Sequence, residues 1–354
     1  MRPRHLAWWL LPLLLIAIAW PWRGALVLPL AERLAERGMA SDPLAGLPDG
    51  IHVMICGAGG PLPDPRRSGP CVAVRAGPLD LLIDAGSGAG RSLTRLRWPL
   101  GDLDVLLLTH FHSDHIDGLG EVAMLRWVNA ANTTPLPVLG PPGTEGVVAG
   151  FNSAYSADAD YRAAHHGETV APRSGAGLTA REWPLPAVGE GTVLIDREGV
   201  RVTMFAVEHA PASPAVGYRI DYAGRSVTVS GDTVRSASLE RVAKGSELLI
   251  HEALSPELVG AMHRAARAAE RPILAKITAD IPGYHASPVD AAASASAIGA
   301  SHLVLYHVVP PLLMPGMEGI FLRGVDEVWD GPVTVAVDGS FFSLPAGSDA
   351  LEAR

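Results

Sequence analysis

The chain has 354 residues, 48% of them hydrophobic, with 38 Gly and 30 Pro, enough for one large domain or two small ones built of many short strands. Its formal net charge is −9 and no run of Lys or Arg is present, which counts against nucleic acid as a partner, because a protein that grips a polyanion usually carries a basic face. No repeat period is visible.

The N-terminus carries a basic leader, Met1-Arg2-Pro3-Arg4-His5, then an apolar stretch from Leu6 to Trp22 that ends at Arg23. This is the layout of a signal peptide, with Ala17-Ile18-Ala19 as a small-x-small cleavage site. A retained signal anchor, with Trp8, Trp9, Trp20 and Trp22 at the interfaces, is the preferred reading. Both place the rest of the chain outside the cytoplasm, in the periplasm or tethered to the inner membrane. The expected division is 1–23 signal or anchor, 24–50 linker, 51–345 catalytic domain and 346–354 tail.

The domain opens on a predicted strand, Ile51 to Ile55, followed by the Gly/Pro-rich stretch Gly57 to Pro70. That stretch cannot be a helix, and it lacks the Gly-Lys-Ser/Thr ending of a phosphate-binding loop. Cys56 and Cys71 flank it on strand-like sequence, so paired strands could bring them within bridging distance, and an exported protein could oxidise them. Arg66 and Arg67 read as solvated surface arginines. Strands are predicted over 71–74 and 79–83, ending in Asp84-Ala85-Gly86, where the carboxylate is expected to hold a neighbouring ligand loop.

The apolar run Val105 to Leu108 leads into Thr109-His110-Phe111-His112-Ser113-Asp114-His115. In an extended segment His110 and His112 face the same way, and Asp114 and His115 follow after the chain turns. Two imidazoles at one point and a carboxylate plus an imidazole at another make half of a two-metal site, with N and O donors suited to Zn²⁺. A helix to about Asn129, a strand over 135–139 and a helix over 141–151 follow, and residues 152–190 read as a lid or arm. Within that lid, His165 and His166 are expected at the surface.

Strands are predicted over 192–195 and 202–207, the second leading to His209. A hairpin over 216–221 and 226–229 turns at Ala223-Gly224 and leads to Asp232. Leu248 to Ile250 leads to His251-Glu252, and a helix over 256–270 follows. Next come His285 and a helix with Ser287 as N-cap, Pro288 as first residue and Gly299 as stop. A strand over 302–306 ends in His307, and the last strands fall at 333–337 and 341–344. Ligand-type groups therefore recur at strand ends. His285 is the candidate general acid, with Glu252 orienting it, and Asp114 could take a proton. His251 reads as structural support.

These motifs together resemble the metallo-β-lactamase superfamily, in its branch of ribonuclease Z and exported arylsulfatase-like hydrolases. The resemblance covers residues 51 to 345 and rests on His-x-His-x-Asp-His, Ser-Gly-Asp-Thr, His-Glu-Ala and a late His-Ala-Ser. It implies an α/β fold, a four-layer αββα sandwich, behind the N-terminal hydrophobic segment. It also implies that His110, His112 and His209 hold one zinc, that Asp114, His115 and His307 hold a second, and that Asp232 bridges them. Mn²⁺ and Fe²⁺ suit the same donors.

Ser113 stands where the ribonucleases usually have Gly, and no long basic, Gly-rich arm for tRNA is present. The expected function is accordingly an exported dinuclear zinc hydrolase of a small anionic phosphate or sulfate ester, attacked by a metal-bridging hydroxide. A tRNA 3′-processing endonuclease, a lactonase or β-lactamase, and a non-enzymatic membrane-tethered metal-binding scaffold are the alternatives. A homodimer is compatible with the sequence.

Overall fold

Long apolar runs with little alternation make strands that are buried on both faces, and such strands need a layer on each side. The computed structural model, which describes residues 23–39 and 42–354, provides these layers. The chain divides into two units, residues 1–45 and 46–354. The first contains helix α1 (Arg23–Met39), with Pro29 inside it and Val27, Leu28, Leu30 and Leu34 exposed. The leader and the apolar segment from Leu6 to Trp22 lie outside the described residues. No helix among the described residues is long and apolar enough to cross a membrane.

The second unit holds two sheets. The first begins with β1 (Gly50–Gly57), β2 (Cys71–Ala76) and β3 (Leu79–Ile83), paired antiparallel. It continues in parallel through β4 (Val105–Leu107), β5 (Leu136–Gly140) and β6 (Leu178–Glu182). The second sheet begins with the antiparallel strands β7 (Gly191–Arg197), β8 (Val200–Ala206), β9 (Val216–Tyr222) and β10 (Arg225–Val229). Parallel strands β11 (Leu248–Leu254), β12 (His302–Val309) and β13 (Val333–Val335) complete it. Strand β14 (Phe341–Pro345) pairs with β1, and the chain beyond it returns as the short edge strand β15 (Glu352–Ala353).

The sheets share one core. Ile51, Val53, Val72, Val74 and Leu81 of the first pack with Val202, Met204, Tyr218, Ile220 and Val227 of the second. On the far side of the second sheet, Leu249, Leu303 and Leu305 pack with Leu239 and with Ala291, Ala292 and Ala295. This is the mixed α/β sandwich that the sequence predicts.

Eight helices complete the part used below, beginning with α2 (Ala89–Leu96), α3 (Ser113–Ile116), α4 (Leu119–Asn129), α5 (Thr144–His166), α6 (Ala237–Val242) and α7 (Pro256–Ala268). Helices α8 (Pro272–Asp280) and α9 (Pro288–Ile298) follow. Helix α5 runs fifteen residues beyond the predicted end at 151, so the first part of the expected lid is helical instead. The many Ala and polar residues of this stretch leave no apolar face that marks it as a helix. At α9 the Ser287 hydroxyl accepts from Asp290 N, the Asp290 carboxylate accepts from Ser287 N, and Gly299 adopts φ +75°. Cys56 and Cys71 are bonded, with Cα atoms 5.0 Å apart, at the base of the Gly/Pro loop. Arg67 departs from its predicted place in solvent. It is buried, paired with Asp64 at 3.0 Å and donating to Ala336 O, whereas Arg66 is exposed.

Candidate metal centre

Strand direction gathers the site. Strands β8 and β10 both run antiparallel to β9, so they point the same way, and β11 and β12 run parallel to β10. The segments after β8 and β10, and the ends of β11 and β12, therefore emerge at one edge, bringing His209, Asp232, Glu252 and His307 there. Asp84 and the 109–115 segment follow the parallel strands β3 and β4 at one end of the other sheet. The two edges are tied together: Val216 N donates to Thr109 O at 3.0 Å, and the Tyr218 hydroxyl donates to Leu108 O.

At this junction the ligand-type atoms converge. Nδ1 of His112 lies 3.0 Å from Nε2 of His110 and 3.3 Å from Nε2 of His209. Oδ2 of Asp232 lies 3.8 Å from the Nε2 atoms of both His110 and His209. The same Oδ2 lies 3.4 Å from Nε2 of His115 and 3.3 Å from Nε2 of His307. Asp114 Oδ2 sits 3.3 Å from His307 Nε2 and 3.8 Å from His115 Nε2. Three overlapping donor sets emerge, His110/His112/His209/Asp232, Asp114/His115/His307 and Asp232/His285/His307, each with its atoms within 4.8 Å of one another. All seven candidate ligands are thus in one cluster.

The residues fit a cation. His115 Nε2 and Asp232 Oδ1 are buried with no hydrogen-bond partner among the described residues. Leaving such groups unsatisfied costs about 1–3 kcal/mol each, more when charged, and a divalent ion in the cluster removes that cost. Protonation leans the same way at His110 and His209 but not at His115, where burial is overcome by Asp232 and Asp84, which raise it well above the ordinary imidazole range, so that a cation would displace its proton. Burial and the neighbouring His115 hold His110 well below the ordinary imidazole range, and burial lowers His209, so both keep a free lone pair. Burial alone would raise the Asp114 carboxyl, but the His307 hydrogen bond and the His115 charge bring it down to about 2. Burial likewise opposes ionisation of Asp232, and His307 and His115 overcome it.

The outer partners aim the ligands. Asp84, at φ +57°, accepts from Thr109 N at 2.8 Å, from the Thr109 hydroxyl at 2.7 Å and from His115 Nδ1 at 2.7 Å. It holds the ligand loop as the sequence predicts. His209 Nδ1 donates to Tyr284 O at 2.8 Å. His307 has φ +46° and lies between Tyr306, paired with Glu252, and Val308, paired with Ala253, so it is the extra residue of a bulge. A bulge re-aims a side chain, and here it aims His307 at Asp114 and Asp232. The predicted strand stops at His307; the observed one continues through the bulge to Val309.

Glu252 joins three segments. Its Oε1 accepts from Thr233 N at 3.0 Å, His285 Nδ1 at 2.9 Å and Ala286 N at 3.2 Å. Burial would lower His285, but the Glu252 carboxylate raises it to about 9. His251 is fully buried, with Nδ1 donating to Glu252 O, and belongs to none of the donor sets. His165 and His166 are exposed at the end of α5. Sequence reasoning missed Thr109, the carbonyl of Tyr284 and Asp338. The Asp338 carboxylate clamps Ala58 N, Ser68 N and the Ser68 hydroxyl at the base of the Gly/Pro loop. No local signal marks a contact across 270 positions.

A profile of the family described as "Metallo-beta-lactamase superfamily" matches residues 64–276. The chain belongs to the metallo-beta-lactamase superfamily. It is 37% identical to Ribonuclease Z of Mycobacterium avium (strain 104) over 281 residues, 79% of this chain and 90% of that protein. It is also 37% identical to Ribonuclease Z of Mycolicibacterium gilvum (strain PYR-GCK), over 76% of this chain and 87% of that protein. Among solved structures, the metallo-beta-lactamase fold protein YhfI from Bacillus subtilis matches with TM-score 0.59 and 17% identity, over 84% of this chain and all of that one. The short form of human tRNase Z matches with TM-score 0.56 and 21% identity, over 83% and 99%. These two likenesses carry the fold. The superfamily, its ribonuclease Z relatives and the His/Asp cluster make this chain a metal-dependent hydrolase of ester bonds.

Three expectations are corrected by the relatives. The choice of a small phosphate or sulfate ester over RNA is overturned, because the relatives that match most of the chain are named for ribonuclease activity. The argument against nucleic acid as a partner falls with it. So does the exported or membrane-tethered placement, which went with a substrate away from tRNA. Ser113 does not separate the two substrate classes on physical grounds either. Its side chain is exposed at the start of α3 and makes no hydrogen bond among the described residues, while its carbonyl accepts from Asp117 N at 2.8 Å.

Proposed function

We propose that this chain is a ribonuclease Z-type endonuclease that hydrolyses a phosphodiester at the 3′ side of a tRNA precursor, within a catalytic region of residues 51–345. The observation that carries the reading is the 37% identity to a ribonuclease Z across 90% of its length. Two Zn²⁺ are the proposed cofactors. His110, His112 and His209 would hold one and Asp114, His115 and His307 the other, with Asp232 shared, since its Oδ2 faces both donor sets. When bound, such a pair supplies Lewis-acid polarisation of the phosphoryl group and lowers the pKa of a water.

The protein groups divide the proton work. Asp114, held ionised, accepts a proton from the attacking water. His285, held protonated by Glu252, gives a proton to the leaving ribose oxygen. Glu252 positions that imidazole and fixes Thr233 N beside Asp232.

The test is cleavage of a precursor tRNA with a 3′ trailer by the purified, zinc-loaded full chain, with the cut mapped by sequencing and zinc counted by mass spectrometry. Specific cleavage at the trailer junction is expected. Hydrolysis of p-nitrophenyl sulfate with intact precursor would sink the reading. One bound zinc at full activity would sink the dinuclear assignment.

A further inference from the structure

Helices α7 and α8 form a hairpin that leads, through the turn Ile281–Gly283, directly into Tyr284 and His285 at the wall of the metal centre. An open groove between them is lined by His263, Arg267, Arg271 and Lys276, with Glu270 its acidic member. Arg264 is exposed on α7 one position from the groove-lining His263. The side chains of Arg264, Arg267 and Arg271 make no hydrogen bond or ion pair among the described residues. Several exposed arginines elsewhere in this unit are paired, among them Arg173 with Asp160, Arg201 with Asp196, Arg323 with Glu257 and Arg354 with Glu352, whereas Arg97 and Arg241 stand alone rather than in a group. On a chain of net charge −9, three unpaired guanidinium groups within one hairpin are a local reversal of sign.

We propose that the α7–α8 hairpin is a docking surface for the RNA substrate, its groove holding backbone phosphates of a strand whose scissile bond lies at the metal centre. The inference rests on the ribonuclease reading above. Charge complementarity selects a polyanion, and guanidinium forks with all donors free suit phosphate oxygens. Arg267 and Arg271 line a concave groove between the two helices, together with Lys276, which is held by Asp280, a shape that takes a chain rather than a flat bilayer. Ile273, Leu274 and Ile277 are exposed on α8 and offer apolar contact to splayed bases.

The experiment compares the zinc-loaded full chain with the triple variant Arg264→Gln/Arg267→Gln/Arg271→Gln. A charge-matched control, Arg173→Gln/Arg201→Gln/Arg354→Gln, removes three paired cations elsewhere. Substrates are precursor tRNA and bis-p-nitrophenyl phosphate. For the hairpin variant, KM for the precursor is expected to rise at least tenfold with kcat within twofold. Its salt slope for RNA binding should fall by about 2 to 3, at roughly 0.7–0.9 per lost phosphate contact. Turnover of the small diester should follow the wild type. Equal losses in the control would make net charge the cause and overturn the proposal. So would unchanged RNA kinetics in the hairpin variant. Loss of binding to phosphatidylserine vesicles with RNA kinetics intact would assign the surface to lipid and overturn it too. A wild type that turns over the small diester but neither binds nor cuts RNA defeats the ribonuclease reading first, which is a distinct result.

Discussion

His285 and Glu252 define the chemistry that single residues control. The active form of a general acid is the protonated one, so its rate falls as pH rises through its pKa. With His285 raised to about 9 by Glu252, kcat should stay level through neutrality and decline near that value. In Glu252→Gln the charge is gone while the amide oxygen can still accept, so the decline should move down toward the ordinary imidazole value of 6.5. A pH–rate profile of the two proteins checks this, and an alkaline limb that stays in place rejects the role of Glu252. His285→Ala should lose about 10²–10⁴-fold in kcat on RNA and far less on bis-p-nitrophenyl phosphate, whose leaving group needs no proton. Asp84→Asn acts one shell further out. It removes the charge that accepts from His115 Nδ1, and zinc affinity by competitive chelation should weaken about 10–100-fold.

At the scale of elements, the site depends on segments that thread closely past one another. Gly86 N donates to Pro70 O and Ala85 N to His115 O, so the stretch after β3 is clasped between the Gly/Pro loop and α3. A Cβ at Gly86 would lie 2.1 Å from the Asp114 carbonyl oxygen and 2.6 Å from the Gly69 carbonyl carbon, both backbone. Gly86→Ala should therefore cost stability toward the upper end of about 1–3 kcal/mol, read by urea unfolding, and displace Asp114 enough to lower kcat. A variant as stable and active as the wild type would show that the clasp can widen freely. The sequence marked Asp84-Ala85-Gly86 as a close approach, but not what approaches. The bulge at His307 was equally illegible, because one extra residue in a pairing has no local sequence mark. The cations of the α7–α8 hairpin escaped for a related reason. Arg264 and Arg267 stand three positions apart on α7 and Arg271 caps the start of α8, which is no run in sequence.

For the whole molecule, metal and fold are expected to be linked. Seven ligand-type side chains from both sheets meet in one cluster, so the folded state binds the cation and the unfolded chain does not bind it as a set. Chelation should lower Tm, by an amount equivalent to about 2.7 kcal/mol at a free metal concentration one hundredfold above Kd, and added zinc should restore it. Calorimetry with and without chelator reads this directly. A Tm indifferent to metal would mean that the cluster is held by protein packing alone.

The sequence by itself determined the fold class and the candidate ligands. Both are written in short-range chemistry: apolar runs of strand length, turn residues between them, and His and Asp placed directly after the runs. It also carried the Ser287 cap and the Ala223-Gly224 turn, which are local backbone events. Only the tertiary structure decided which groups serve which. Glu252 reaching His285, Thr233 and Ala286, Asp338 holding a loop that precedes it by 270 positions, and Arg67 turning inward to Asp64 and Ala336 all depend on strand direction and sheet packing. The composite charge of −9 pointed away from RNA because a sum over the chain discards position. A substrate meets the local field at one face, and that field exists only once the helices are folded.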